Sequence, residues 1–314
     1  MKIFVVQPGL LTTVQDLGRH GFQRFGVPVS GCVDPRSAII ANILVGNPDN
    51  AAVLECTLSG PTLQLEHDSV IAITGANLSP TLDGENVPLY QAIFARAGQT
   101  IRFGPVQYGC RAYLAFAGGI DVPEVMQSRS TFLRAEIGGF QGRKLRAGDQ
   151  LLLKKGGSLP SHLEKRSLWP EYQPQEIFSL RVVMGPQEGV FTSQGTGTFL
   201  GDIYTVSNQF DRMGCRLLGG YIEHRGSCDI ISDGIAFGAV QVPASGQPII
   251  MLADRQTTGG YTKIAAVISA DFRLLGQLKM SDRIRFEQTT IQEAQEAFIA
   301  QRKALHWLRH SLND

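Results

Sequence analysis

The sequence predicts a mainly β protein made of two β-barrel lobes and a few helices. Three observations carry this expectation. The chain has 314 residues, roughly twice the ~150 of a typical domain. Short β-branched and apolar runs, such as Val70-Ile71-Ala72-Ile73-Thr74 and Ile249-Ile250-Met251-Leu252, recur between Gly, Pro and Asp turns. One turn-and-strand signature occurs three times: Ala97-Gly98-Gln99-Thr100-Ile101-Arg102-Phe103, Ala147-Gly148-Asp149-Gln150-Leu151-Leu152-Leu153 and Met280-Ser281-Asp282-Arg283-Ile284-Arg285-Phe286. Tight turns feeding short apolar strands suit antiparallel barrels, where closure removes exposed edges.

Along the chain, residues 1–155 form the expected N-terminal lobe. Within them Asp34 can cap a helix whose first position is Pro35 and which Gly46-Asn47-Pro48 stops. Residues 156–175 are the expected linker, because Gly156, Gly157, Pro160, Pro170 and Pro174 deny them a regular ladder. Residues 176–314 form the C-terminal lobe and end in an amphipathic helix. Thr290 and Glu293 make a capping box at its start, and Ile291, Ala294, Phe298, Leu305 and Leu308 follow at helical spacing.

Composition excludes several classes of function. Lys and Arg number 29 against 28 Asp and Glu, a formal charge of +1, without the basic excess of a general nucleic-acid binder. No apolar run approaches the ~20 residues of a membrane helix, and the apolar start is broken at once by Gln7-Pro8-Gly9, so a cytoplasmic chain is expected. The five cysteines are scattered with no C-x-x-C pair, which reads as small buried apolar residues rather than disulfides or zinc ligands. The six histidines form neither H-E-x-x-H nor H-x-H, so no metal is expected. Gly and Lys are never adjacent in that order, so there is no Walker loop. Gly195-Thr196-Gly197-Thr198-Phe199-Leu200-Gly201 misses the dinucleotide fingerprint by one position, and no helix is expected after it.

Two polar, glycine-bearing stretches stand apart. Residues 8–21 gather Thr12, Thr13, Gln15, Asp16 and Arg19; residues 253–263 read Ala-Asp-Arg-Gln-Thr-Thr-Gly-Gly-Tyr-Thr-Lys. The second follows one apolar strand and precedes another, which reads as a long polar loop presenting a site. The plain alternative is a hairpin loop whose side chains bond their own backbone. The two stretches are expected to line one pocket between the lobes.

These stretches, together with Val27-Pro28-Val29-Ser30-Gly31, Ala41-Asn42-Ile43-Leu44-Val45-Gly46-Asn47, Ala117-Gly118-Gly119-Ile120, Arg212-Met213-Gly214-Cys215-Arg216-Leu217 and Gln241-Val242-Pro243, resemble one family over nearly the whole chain. It is the biotin-dependent carboxyltransferase-like family that includes allophanate hydrolase subunit 2, KipA and a subunit of the bacterial 5-oxoprolinase. Asp211 departs from the Asn or Ser usual there and sets a negative charge beside Arg212.

The resemblance implies cyclophilin-like barrel lobes and a subunit of an ATP-dependent 5-oxoprolinase, which opens a cyclic amide to glutamate and is inactive alone. It implies a KipI-like partner subunit, a LamB/YcsF-like subunit and ATP as co-substrate, with no metal or tightly bound cofactor in this chain. The alternatives it carries are antagonism of a KipI-type kinase inhibitor, or a carboxyltransferase component working with biotin. Under the resemblance Asp254, Lys263 and Arg212 are the expected catalytic residues. Gln256, Thr257, Thr258, Tyr261, Gln241, Thr13, Gln15, Asp16 and Arg19 are expected to bind substrate. An unstrained lactam is a poor electrophile, so phosphorylating its oxygen calls for cations on the developing charge and donors around the ring.

Overall fold

The computed structural model describes residues 1–154, 160, 162–170 and 174–312. The chain gathers into two compact units, Met1–His20 with Ser30–Pro174 and Ala304–Asp314, and Gly21–Val29 with Gln175–Lys303. Gly156 and Gly157 of the expected linker lie outside the described residues. Its described part up to Pro174 belongs to the first unit, where Leu168 N–H donates to Tyr90 O at 2.8 Å and Arg166 Nη1 donates to Ile43 O at 3.0 Å.

The fold is mainly β, in three sheets. The first unit holds two of them. One orders the strands Gln150–Leu152, Lys2–Gln7, Thr62–Leu65, Thr100–Arg102, Thr81–Leu82 and Glu85–Asn86; the other orders Leu11–Gln15, Val53–Thr57, Tyr108–Phe116, Ser69–Asn77 and Ala92–Ala95. Strand side chains alternate between faces. Ile3, Val5, Leu63, Leu65, Ile101 and Leu151 from the first sheet therefore meet Val14, Leu54, Ile71, Ile73, Leu114 and Phe116 from the second in one core. The second sheet is buried on its other face as well. There Val53, Val70, Ala72, Tyr113 and Ala115 pack with the helix Pro35–Leu44 and with Leu305 and Leu308 of the last helix. Burial on both faces explains the unbroken apolar runs in this region.

The eight-stranded sheet of the second unit curls onto itself. Its order is Ile177–Met184, Arg283–Gln288, Tyr204–Phe210, Gly214–Leu218, Ile249–Met251, Ala239–Val242, Thr258–Val267 and Asp229–Gly234. A further pairing of Ile177–Met184 with Thr258–Val267 closes a ring and leaves Asp229–Gly234 outside it. Ile177–Met184 and Arg283–Gln288 run parallel, a long-range pairing that hairpin signals do not reveal.

The repeated signature is one structural device used three times. Gly98, Gly148 and Ser281 have φ of +84°, +90° and +72°. Each N–H donates to a facing carbonyl, that of Leu65, Val5 or Val206, and the same facing residue's N–H donates back to Gln99, Asp149 or Asp282. Both expected helix starts are present. Asp34 Oδ1 accepts from Ser37 N–H at 3.0 Å, and Glu293 Oε2 accepts from Thr290 N–H at 2.9 Å while Thr290 Oγ1 accepts from Glu293 N–H at 3.2 Å. The glycine-rich run 195–201 is itself helical, within Ser193–Gly201, and is followed by the strand Tyr204–Phe210 rather than by a helix. Thr192 caps it by accepting from Gly195 N–H at 2.9 Å, and Phe199 stacks on Phe286 with centroids 4.4 Å apart. Tertiary packing here overrides the low helix propensity of glycine.

Candidate functional site

The two polar stretches have different fates. In residues 8–21, Leu11–Gln15 is a strand paired with Val53–Thr57, and Thr12, Thr13, Gln15, Asp16 and Arg19 are all buried. The Asp16 carboxylate accepts from four donors: Gly18 N–H at 2.9 Å, Ser128 Oγ–H at 2.6 Å, Ser130 Oγ–H at 2.5 Å and Arg129 N–H at 2.6 Å. Arg19 donates to Ser130 O, and Gln15 Nε2 donates to Thr13 Oγ1 at 2.9 Å and Thr131 O at 3.2 Å. Four of the expected substrate-binding residues, Thr13, Gln15, Asp16 and Arg19, thus form a buried network that ties residues 128–131 to the sheet.

The second stretch corrects the expectation of a long loop. Thr258–Val267 is one strand of 10 residues, and only residues 252–257 connect it to Ile249–Met251. Gly259 and Gly260 do not end the strand, because the ladder with Asp229–Gly234 runs past them, Asp229 facing Tyr261, Asp233 facing Gly259 and Gly234 facing Thr258, while the ladder with Ala239–Val242 begins at Thr262. Glycine serves close approach here. A Cβ on Gly259 would lie 2.6 Å from Ile235 Cδ1 and 3.0 Å from Gln241 Nε2.

Each expected catalytic residue has a carboxylate or cation partner. Arg212 and Asp254 pair in two contacts, Nε to Oδ2 at 3.0 Å and Nη2 to Oδ1 at 3.2 Å, with both side chains buried. Asp254 N–H also donates to Arg212 O at 2.8 Å, so backbone and side chains lock the two turns together. The extra charge of Asp211 does not fall on Arg212. Asp211 Oδ1 accepts from Met213 and Gly214 N–H at 2.7 and 3.1 Å, an Asx turn. Lys263 Nζ donates to Asp233 Oδ2 at 2.7 Å and Gly234 O at 3.2 Å, and its hydrogen bond holds the Asp233 carboxyl below its ordinary range. Arg255 donates to Ile235 O at 2.9 Å and Leu252 O at 3.2 Å, and burial pushes its pKa down to about 10.

An open cleft of about 300 Å³ lies on the second unit's sheet. Of the expected residues, Gln241, Gln256 and Tyr261 line it. Thr257 and Thr258 sit beside Gln256 without lining it; Thr258 is exposed and Thr257 half-buried. Gln241 is buried, and its Nε2 reaches Tyr261 O at 3.4 Å. Sequence reasoning missed Asn208, Gln209 and Arg216, which also face the cleft above Ile249, Met251 and Met213. Arg216 lies inside a motif already singled out, and its place beside Gln241 follows only from the pairing of Gly214–Leu218 with Ile249–Met251 and of the latter with Ala239–Val242. The arrangement presents one guanidinium, one carboxylate (Asp211), a phenol and several carboxamides around an apolar floor, which suits a small polar molecule bearing an amide or carboxylate.

Among the described residues, no group of three or more His, Cys, Asp or Glu is placed to hold a metal ion. Four of the cysteines, Cys32, Cys56, Cys110 and Cys215, are buried and none forms a disulfide; burial pushes the Cys56 thiol up to about 12. No helix of the described chain is long and apolar enough to cross a membrane.

Comparison with known proteins places these features. The chain is 39% identical over 314 residues to a 5-oxoprolinase subunit of Escherichia coli (strain K12), covering 98% of this chain and 99% of that protein. It is 33% identical over 305 residues to the urea amidolyase of Saccharomyces cerevisiae, covering 90% of this chain but 16% of that protein. The crystal structure of the K. lactis urea amidolyase matches with a TM-score of 0.92 at 32% identity, over 98% of this chain and 20% of that one. The family model for the carboxyltransferase domain, subdomain A and B, matches residues 25–288, and with the agreement of fold and length the chain belongs to that carboxyltransferase-domain family.

Proposed function

We propose that the chain is a subunit of an ATP-dependent 5-oxoprolinase and that the cleft of the second unit holds the cyclic amide. The observation that carries this reading is the end-to-end match with a stand-alone 5-oxoprolinase subunit at 39% identity. The urea amidolyases share the fold but extend far beyond it, this chain spanning 16% of one and 20% of another.

In this reading Gln241, Gln256 and Tyr261 hold the ring amide. The Arg212–Asp254 pair fixes the turn that carries Gln256. Lys263 lies outside the cleft lining and keeps Asp233 Oδ2 as its partner at 2.7 Å, so it ties the strands Thr258–Val267 and Asp229–Gly234 together. ATP supplies the activation: a phosphoryl group transferred to the lactam oxygen makes the carbonyl carbon electrophilic, one water adds to that carbon, the C–N bond opens to leave a free amine and an acyl phosphate, and a second water cleaves the acyl phosphate to carboxylate and phosphate. Partner subunits, a KipI-like and a LamB/YcsF-like chain, complete the enzyme. A second reading, carboxyl transfer to a urea-like acceptor from biotin on a separate chain, is supported by the TM-score of 0.92 to a urea amidolyase.

The test is to purify the chain with its natural partners and measure ATP hydrolysis with and without 5-oxoproline. Hydrolysis that depends on both 5-oxoproline and the assembled complex is expected, with the isolated chain silent. Biotin-dependent carboxylation of urea in place of 5-oxoproline turnover would overturn the reading in favour of the second.

A further inference from the structure

We infer that Arg216 is the carboxylate anchor of the cleft, so that the molecule bound there is a small amide carrying a carboxylate rather than a neutral urea-like compound. The inference rests on the proposal that the cleft is the substrate site. It is independent of which partner subunits complete the enzyme.

Register places the groups. Arg216 stands directly opposite Ile249, and Ile249 directly opposite Gln241. Directly opposed residues share a face of the sheet, so the guanidinium and the Gln241 carboxamide flank Ile249 on the same surface. Their backbones are separated by two strand spacings, roughly 10 Å. Two side chains reaching toward each other across that span leave room for a five-membered ring with one substituent. Ile249 and Met251 beneath offer an apolar floor for ring methylenes.

Charge pairing separates Arg216 from its neighbours. Arg212 is matched by Asp254 and Lys263 by Asp233, while Arg255 donates to backbone carbonyls. The Arg216 side chain has no hydrogen-bond or ion-pair partner among the described residues and faces the cleft. The other charged residue of the lining is Asp211, whose Oδ1 is held by the N–H groups of Met213 and Gly214. A guanidinium presents a planar fork that matches a carboxylate with two parallel bonds. A neutral urea-like ligand leaves that fork unused, whereas a carboxylated lactam engages both ends of the Arg216–Gln241 row.

The test is calorimetric titration of the full chain with four probes: 5-oxoproline, its neutral analogue 2-pyrrolidone, glutarate and urea. The wild-type chain is expected to bind 5-oxoproline more tightly than 2-pyrrolidone by roughly 10- to 100-fold, the range of a charge-assisted hydrogen bond. Arg216→Gln should abolish that preference while leaving 2-pyrrolidone binding and the melting temperature unchanged. Arg216→Lys should retain part of it. Wild-type affinity of Arg216→Gln for 5-oxoproline would overturn the anchor and leave the cleft reading standing. Arg216-dependent binding of glutarate without binding of 5-oxoproline would uphold the anchor and overturn the 5-oxoprolinase reading. Binding of urea or 2-pyrrolidone with no carboxylate bound, or binding of none of the four, would overturn the anchor.

Discussion

The stretch 11–19 and the stretch 254–263 look alike in sequence, each mixing hydroxyls, an amide, a carboxylate and one or two cations, yet the structure uses them differently. Asp16 and Arg19 are 1% and 0% exposed and bonded to their own unit. Tyr261 is 42% exposed, Gln256 is exposed too, and both line an open cleft. A polar group whose bonds are satisfied inside the chain stabilises a fold, and one that keeps its bonds for solvent is available to a ligand. The first stretch is therefore built into the fold, and the second, at its open end, is the site we propose.

The comparison breaks most visibly at Asp16. Asp16→Ala leaves Ser128, Ser130 and the N–H groups of Gly18 and Arg129 without their acceptor in a buried setting. The expected loss is about 3–5 kcal/mol of stability by denaturant unfolding, since each orphaned buried group costs ~1–3 kcal/mol. A loss below ~1 kcal/mol would show that the network is not structural.

The Arg212–Asp254 pair is intermediate, because Asp254 belongs to the second stretch while the pair is as buried as the first. Arg212→Gln and Asp254→Asn each strand a buried charge. About 3 kcal/mol is the expected cost of either single change, with the double variant recovering part of it. Additive losses in the double-mutant cycle would mean that the pair does not act as a unit. The smallest effect on stability belongs to Gln256→Ala, within ~0.5 kcal/mol of wild type by thermal unfolding, as for an exposed side chain without a structural partner.

Local chemistry makes much of the fold legible. Asp34-Pro35 and Thr290-x-x-Glu293 announce their helices because a cap acts over three or four residues. The thrice-repeated turn is legible for the same reason, since two of its copies place glycine where φ must be positive, and Ser281 takes the same conformation in the third. What stays hidden is long-range. The helix Ser193–Gly201 owes its place to Phe199 packing on Phe286, 87 positions away in sequence. Thr13, Gln15, Asp16 and Arg19 read as ligand-binding because no local signal tells a buried polar strand from an open one. Arg216 escapes notice because its neighbours Ile249 and Gln241 are assembled by strand pairing.

The measurement closest to the central claim is 5-oxoproline-dependent ATP turnover of the reconstituted complex carrying Gln256→Ala. The account predicts normal assembly and stability with KM for 5-oxoproline raised about 3- to 10-fold, the worth of one neutral hydrogen bond. Unchanged KM and kcat would contradict it, because the open end of the second stretch would then play no part in binding the substrate.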